Sequence, residues 1–139
     1  TVVGMPFPAL RLPDINKNVW TVAAKQPNKY TLIDFWFSHC APCVKQFPAY
    51  KQLYDTYRSA GFEMIGISVD RTADIGDWKK MIQEKNLNWP QFLDENAVNA
   101  SKLSVHHFPY NFLLNEQGII IRKNIDPAEL GSILANMTR

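Results

Sequence analysis

The stretch Tyr30–Cys43, YTLIDFWFSHCAPC, predicts the centre of the fold. Its first part, Tyr30–Phe37, is an unbroken run of apolar, aromatic and β-branched residues, which is typical of a strand covered on both faces. Its second part, Cys40-Ala41-Pro42-Cys43, stands where this strand gives way to a helix. We therefore expect two thiols at the end of a central strand, in the first turn of the following helix.

The helix and strand that follow complete a βαβ unit. Over Ala41–Ser59, apolar residues recur at spacings of three and four and define one buried helix face. Pro48 lies inside this helix and is expected to kink it, because proline lacks an N–H group. Gly61 suits the end of the helix. Phe62–Val69 is a second apolar strand, and strand, helix and strand in this order predict parallel, right-handed pairing.

The segments outside this unit predict further elements of an α/β domain. We expect an N-terminal β-hairpin from Ala9–Leu12 and Val19–Val22. Helices are expected over Ala73–Asn86 and near Ala97–Leu103. A second hairpin is expected from two strands joined by a short turn, Asn111–Leu114 and Gly118–Arg122.

The last helix has clear signals at its start. Asp126 can cap it, Pro127 suits its first position, and Glu129 can complete a capping box. With this helix, the elements predict a single domain over residues 1–139, with a mixed central sheet flanked by helices. One half of the sheet is parallel and the other is an antiparallel hairpin.

Composition and charge exclude several classes of protein. The 139 residues are 46% hydrophobic and carry a net charge of +2, with 15 Lys and Arg among 13 acids. This balance argues against a disordered chain and against a nucleic-acid-binding stripe. Two cysteines are too few for a disulfide scaffold. No apolar run reaches the ~18–20 residues of a membrane span. The chain starts at Thr1, so we expect a processed form or a domain of a longer exported precursor.

The cysteine pair itself indicates thiol–disulfide chemistry. Two cysteines three apart in a first helical turn can bring their sulfurs within bonding reach. The unpaired N–H groups and the positive end of the helix dipole stabilise a thiolate there, lowering the pKa of Cys40 from ~8.5 towards ~7. Cys40 is then the attacking thiolate, and Cys43, one turn deeper, resolves the mixed disulfide. Pro42 restricts the backbone between them.

Two other interpretations of the pair stay open at this point. The cysteines could be small buried apolar residues without redox function. They could also belong to a zinc or copper site completed by His39, His106 or His107, as in a metal-handling module, although there is no second Cys-x-x-Cys to supply four ligands.

The sequence resembles the thioredoxin superfamily over most of its length. The residues that carry the resemblance are Asp34-Phe35-Trp36, the Cys40–Cys43 motif, Pro48 and Pro109. The segment between Cys43 and Pro109 is longer than in thioredoxin itself, with room for an inserted helix and strand. Together with the N-terminal hairpin, this segment is similar to the branch called TlpA-like or ResA-like.

The resemblance implies roles for the residues around the cysteines. Pro109 is expected to be cis and to pack against the disulfide, with the backbone at Phe108 binding an extended substrate. Asp34 matches a buried acid that moves a proton to or from the deeper cysteine. ResA-like members often carry Glu where this chain has Gln46, which leaves Asp34 as the expected acid.

Four residues are expected at the substrate site or close to it. His39 stands where relatives commonly carry Trp and, when protonated, favours the neighbouring thiolate. Pro42 and Phe108 are expected to shape the substrate groove, and Trp36 to pack beside the disulfide.

The resemblance implies a thiol–disulfide oxidoreductase, acting as a reductase because Ala-Pro is closer to the Gly-Pro of thioredoxins than to the Pro-His of strong oxidants. No cofactor other than the Cys40–Cys43 disulfide is expected. The expected partners are protein dithiols or disulfides and an upstream thiol electron donor. We expect a monomer in the bacterial periplasm or cell envelope, with a membrane anchor in the precursor.

Two further alternatives are a non-catalytic interaction domain and a peroxidase. The cysteines and Pro109 count against the first. The absence of the peroxiredoxin signature Pro-x-x-x-Thr-x-x-Cys counts against a peroxidase, because Ile33 and Phe37 occupy its Pro and Thr positions.

Overall fold

A computed structural model describes residues 1–22 and 28–137 of the chain. Their strands form a two-stranded hairpin and a five-stranded mixed sheet with the order β5-β4-β3-β6-β7. The bounds of the strands are β1 Leu10–Pro13, β2 Val19–Val22, β3 Tyr30–Trp36, β4 Phe62–Ser68, β5 Gln91–Leu93, β6 Tyr110–Asn115 and β7 Ile120–Lys123.

Four α-helices connect and flank the strands. They are α1 Ala41–Tyr57, α2 Ile75–Glu84, α3 Val98–Lys102 and α4 Pro127–Met137. The first three adjoin short 3₁₀ turns, at Arg58–Ala60, Thr72–Asp74 and Glu95–Ala97. No helix in the described part of the chain is long and apolar enough to cross a membrane.

The topology confirms the predicted fold class. Strands β3 and β4 pair in parallel around α1, and β5 pairs in parallel with β4. Strand β6 is antiparallel to β3, and β7 is antiparallel to β6. Helix α2 and strand β5 form the inserted helix and strand. The N-terminal hairpin of β1 and β2 is antiparallel, as expected.

The central strand is buried on both faces, which explains its unbroken apolar sequence. Leu32 and Trp36 join the core layer beneath α1, α2 and α4. Ile33 and Phe35 join the opposite layer, which the N-terminal hairpin, Phe7 and α3 cover. Every residue of β3 after Tyr30 is buried. Its carboxyl end therefore emerges from the middle of the molecule and leads directly into the cysteine motif.

Residues before the hairpin close one edge of the sheet. Gly4 and Phe7 donate backbone N–H groups to the carbonyls of Ile120 and Gly118 at 2.8 and 3.0 Å, and the carbonyl of Met5 accepts from Ile120 at 2.9 Å. At the other edge, Asp14 forms a β-bridge with Phe92 of β5. Both outer strands of the sheet thus have neighbours from the N-terminal segment.

Candidate active site

The two cysteines lie at the start of α1 and form a disulfide. Cys40 is the N-cap residue of the helix, and its Sγ accepts a hydrogen bond from the backbone N–H of Cys43 at 3.3 Å. Cys40 is 4% exposed and Cys43 is 1% exposed. Both cysteines are therefore buried, and Cys40 is slightly the more exposed residue.

The N-terminus of α1 gives Cys40 a positive electrostatic environment. The first N–H groups of a helix have no partners within the helix and point towards its cap. The first turn of α1 carries no acidic residue that would oppose this field. When the disulfide is reduced, a thiolate at Cys40 is stabilised there, because the Cys43 N–H already points at its sulfur. Pro42 lies in this first turn and is exposed.

A buried carboxylate anchors the loop that precedes Cys40. Asp70, just after β4, accepts hydrogen bonds from the backbone N–H of Ser38 at 3.0 and 3.1 Å and from its hydroxyl at 2.7 Å. The hydroxyl of Ser68 donates to Asp70 at 2.5 Å. Asp70 is not among the residues expected from the sequence. It comes directly after the second apolar strand, at the same edge of the sheet as the cysteine motif, and this position is the signal from which it could have been predicted.

His39 is held by carboxylates of the inserted segment. Its Nε2 lies 2.8 Å from Oδ2 of Asp77 and 3.9 Å from Oδ1 of Asp74. The hydrogen bond to Asp77 raises the pKa of His39, with smaller contributions from the charges of Asp77, Asp74 and Asp70. The positive charge next to Cys40 therefore persists to a higher pH than on a free histidine. The pair also ties the active-site loop to α2.

Asp34 is buried in the core layer beneath α1. Its side chain is 2% exposed, and burial raises its pKa to about 8. Its Oδ1 has no hydrogen-bond partner among the described residues. A carboxyl group with this pKa holds a proton at neutral pH and releases it only slightly above. Such a group can exchange a proton with a neighbouring thiol, which is the role that the resemblance assigns to it.

A buried polar cluster borders Asp34 on the β6 side. Asn111 pairs with Asp34 in register and donates through Nδ2 to the hydroxyl of Tyr50 at 3.1 Å and to the carbonyl of Ile125 at 2.8 Å. Burial and then the charge of Asp34 raise the pKa of Tyr50. Tyr50 lies on the helix face that the sequence predicts to be apolar, and nothing in the local sequence indicates that its hydroxyl meets Asn111 of β6.

An open pocket lies beside His39. It has a volume of about 370 Å³, with Phe37, Val69, Ala97 and Phe108 as its apolar lining and His39 and Asp74 among its polar residues. Phe108 packs edge-on against Phe37 with ring centroids 5.8 Å apart. The peptide bond between Phe108 and Pro109 is cis. The structure therefore brings two predicted substrate-site residues, His39 and Phe108, to one pocket.

Trp36 requires a correction. It was expected near the substrate, but it is completely buried and its ring packs edge-on against Phe47 at 5.0 Å. It belongs to the same core cluster as both cysteines. Because no part of it reaches the surface, Trp36 does not line a substrate groove.

The structure does not assemble the ligand set of the metal-handling alternative. In residues 1–22 and 28–137, the one cluster of three metal-ligating side chains within reach of each other is His39, Asp74 and Asp77, and neither cysteine belongs to it. His106 and His107 are both exposed.

Comparison with known proteins agrees with this site. ResA of Bacillus cereus, a thiol-disulfide oxidoreductase, is 30% identical over 97 residues, which cover 70% of this chain and 55% of that protein. The chain thus spans about half the length of this relative. A peroxiredoxin of Methanocaldococcus jannaschii is 27% identical over an alignment covering 99% of this chain and 69% of that protein.

Among solved structures, the thioredoxin domain of a thiol-disulfide oxidoreductase from Bacteroides vulgatus has a TM-score of 0.86 and 28% identity. The similarity covers 100% of this chain and 99% of that one. These relatives are redox proteins, and they give the metal-handling alternative no support. Residues 3–123 match the AhpC/TSA family, so the chain belongs to this family of the thioredoxin superfamily.

Proposed function

We propose that this chain is a thiol–disulfide oxidoreductase domain that reduces disulfides in protein substrates. The observation that carries the proposal is the Cys40–Cys43 disulfide at the N-terminus of α1, with Cys40 as the helix cap and slightly the more exposed residue. ResA and the Bacteroides vulgatus domain named above are thiol-disulfide oxidoreductases.

The proposed reaction consists of two exchanges. The Cys40 thiolate attacks one sulfur of the substrate disulfide, so that a mixed disulfide forms and the other substrate sulfur leaves as a thiolate. Cys43 then loses its proton to Asp34 in its ionised form, which is the minor form at neutral pH, and the Cys43 thiolate attacks the Sγ of Cys40. The second substrate thiolate leaves, and the Cys40–Cys43 disulfide is restored. Two electrons have passed to the substrate, and an upstream thiol donor must return them.

The apolar pocket beside His39 supports a peptide as substrate. We assign the pocket lined by Phe37 and Phe108 to the chain segment around the substrate cysteine. Pro109 directly precedes β6, so the backbone at Phe108 is placed to bind an extended segment. His39 contributes a positive charge at the rim of this pocket, next to the sulfur that reacts.

The experiment is a redox titration of the purified protein in thiol–disulfide buffers, with free thiols alkylated and counted by mass. We expect a reversible two-electron transition between no free thiols and two, with a midpoint near or below about −200 mV. A midpoint potential of about −120 mV would indicate that the protein is an oxidant and not a reductase. The absence of a reversible Cys40–Cys43 disulfide at every potential would overturn the proposal.

Cysteine variants test the order of attack. Cys43→Ser is expected to accumulate a mixed disulfide with a cystine-containing peptide at Cys40, because the resolving thiol is missing. Cys40→Ser is the matched control and should trap none, since Cys43 is almost completely buried. Trapping at Cys43 instead would reverse the assigned roles.

A peroxide assay separates this proposal from a peroxidase. The chain carries Ile33 and Phe37 where the peroxiredoxin signature has Pro and Thr. The reduced protein is therefore expected to consume hydrogen peroxide no faster than a simple dithiol does. Rapid, Cys40-dependent consumption would turn the assignment to a peroxidase.

We further propose that the domain works as a monomer in the bacterial periplasm or cell envelope, as part of a longer protein with a membrane anchor. Support comes from the similarity to one domain of a larger oxidoreductase and from the partial coverage of ResA. Cell fractionation with an antibody to this domain should find it in the envelope fraction. Recovery in the cytoplasm would contradict the location.

A further inference from the structure

Four residues form a polar row across the sheet, on the face covered by α1. Asn111 on β6 pairs with Asp34 on β3, Asp34 pairs with Gly66 on β4, and Gly66 pairs with Gln91 on β5. Residues paired in this way point to the same side of a sheet. The row therefore places an amide at each end, with the Asp34 carboxyl between them.

Gly66 leaves the space that lets Gln91 extend along this row. A Cβ atom on Gly66 would lie 2.2 Å from Oε1 and 2.8 Å from Nε2 of Gln91, so the carboxamide lies directly over this glycine. The next residue along the row is Asp34. A side chain at position 66 would stand between the two groups.

Three polar atoms of this row, on Gln91 and Asp34, are left without partners. Both Oε1 and Nε2 of Gln91 lack hydrogen-bond partners within the described residues, as does Oδ1 of Asp34. Gln91 is 7% exposed and Asp34 is 2% exposed. Buried polar groups without partners are rare because each loses its hydrogen bonds to water. An amide offers one donor and one acceptor, and a carboxyl group needs both as it gains and loses a proton.

We propose that Gln91 is a positioning residue that sets the protonation of Asp34 during proton exchange with Cys43. The amide N–H faces the carboxylate when Asp34 is ionised, and the amide oxygen faces the carboxylic acid when Asp34 holds the proton. This inference rests on the proposed oxidoreductase function, and it assigns a role to a residue of the inserted strand β5.

Few other titratable groups face Asp34. From α1 these are the phenol of Tyr50, which hydrogen-bonds to Asn111, and the Cys43 thiol after reduction. The raised pKa of Tyr50 keeps this phenol neutral over the pH range concerned. The charge of Asp126, at the start of α4, acts on Tyr50. The carboxamide of Gln91 is a neutral dipole on the β5 side of Asp34, and a substitution can remove it.

Two variants test the proposal, one at Gln91 itself and one at the glycine beneath its amide. Gln91→Met keeps the length of the side chain and removes both polar atoms, whereas Gly66→Ala keeps Gln91 and displaces its amide. In each, the pKa of Asp34 is expected to rise by about 0.5 to 1, because the ionised carboxyl loses the stabilising dipole that we assign to the Gln91 amide. Gly66→Ala also keeps the test valid if Gln91→Met fails to fold.

The measurement is the ¹³C NMR titration of the Asp34 carboxyl carbon in the oxidised protein, with Asp34→Asn to assign the signal. Gly76→Ala is the matched control, since a Cβ at Gly76 meets nothing within 4 Å. It should leave the Asp34 titration unchanged. A pKa of Asp34 that equals the wild-type value in both folded test variants would overturn the proposal.

A second readout ties the effect to the redox reaction. The midpoint potential of the cysteine pair is expected to change its slope against pH at the pKa of Asp34, and this break should move upward in both test variants. A purely structural role of Gln91 would lower stability without moving the break. The NMR titration uses no substrate, so it remains readable even if the redox titration were to overturn the proposed function.

Discussion

Asp34 places a carboxyl group in a core layer formed mostly by aromatic and aliphatic side chains. Because burial raises its pKa to about 8, the folded protein binds a proton there that the unfolded chain releases near pH 4. The unfolded chain is thus the more ionised state between these values. Stability from this group is complete below about pH 4 and is lost as the pH rises towards about 8.

Asp34→Asn is therefore expected to stabilise the protein at neutral pH. The amide keeps the size of the side chain and removes the ionisation, so the variant should exceed the wild type by roughly 1–4 kcal/mol at pH 7. The two proteins should be equally stable near pH 4. Urea unfolding at intervals from pH 4 to 9 measures this difference. Parallel pH profiles of the two proteins would show that Asp34 does not titrate in this range.

The contact between His39 and Asp77 gives a prediction about thiol reactivity. Asp77→Asn removes the charge that raises the pKa of His39, so less imidazolium remains beside Cys40 near pH 7. The thiolate fraction of Cys40 should fall, and alkylation of the reduced protein by iodoacetamide should slow by about two- to fivefold. Asp55→Asn on the exposed side of α1 removes the same charge far along the helix and serves as the control. Equal slowing in both variants would indicate a general effect of net charge.

Among individual residues, the sequence identifies those whose role depends on neighbours close to them in the chain. Cys40, Cys43 and Asp34 lie within one strand–helix junction, so a single stretch predicts them. Asp70 and Gln91 were missed because their importance depends on the strands that pair beside β3 and β4. Nothing in the local sequence around Gln91 indicates that its amide lies over Gly66.

Helix α4 shows how far element boundaries can be predicted. It begins at Pro127, as the sequence predicts, and Oδ1 of Asp126 accepts a hydrogen bond from the backbone N–H of Glu129 at 2.8 Å. The 3₁₀ turns were not foreseen, because they continue helical segments with a different hydrogen-bond spacing. The predicted helix over Ala73–Asn86 overlaps the Thr72–Asp74 turn and contains α2, which ends at Glu84.

The cap of α4 can be tested by substitution. Asp126→Ala leaves the N–H of Glu129 without its acceptor and is expected to lower the free energy of unfolding by about 1 kcal/mol. Asp126→Asn retains a capping oxygen and should recover most of this loss. Urea unfolding at pH 7 compares the three proteins. An equal loss in Asp126→Asn would assign the effect to charge and not to the cap.

At the scale of the whole molecule, the N-terminal segment completes the second core layer. Phe7 is fully buried and its ring lies 5.3 Å from that of Phe112. The sequence predicted the hairpin but gave no sign of which face of the sheet it covers, since that depends on long-range pairing with β7 and β5.

Phe7→Ala should therefore destabilise the whole domain. Loss of a buried ring leaves a cavity against Phe112, and the expected cost is about 3–5 kcal/mol in the free energy of unfolding. Met5→Ala removes a side chain of the same segment that is 53% exposed, and it should cost far less. If both variants unfold like the wild type, the segment does not contribute to the core.

The hydrogen bonds that residues 4–7 form with β7, and the bridge from Asp14 to the three-residue strand β5, also affect how the molecules behave at high concentration. Open strand edges are templates on which one protein molecule adds to the next, and this is a common start of aggregation. Here the N-terminal segment that packs into the core also pairs with the edge strand β7 and forms a bridge to the edge strand β5. Removing this segment would therefore expose unpaired strand edges as well as apolar surface, and the truncated protein should precipitate before it loses its secondary structure.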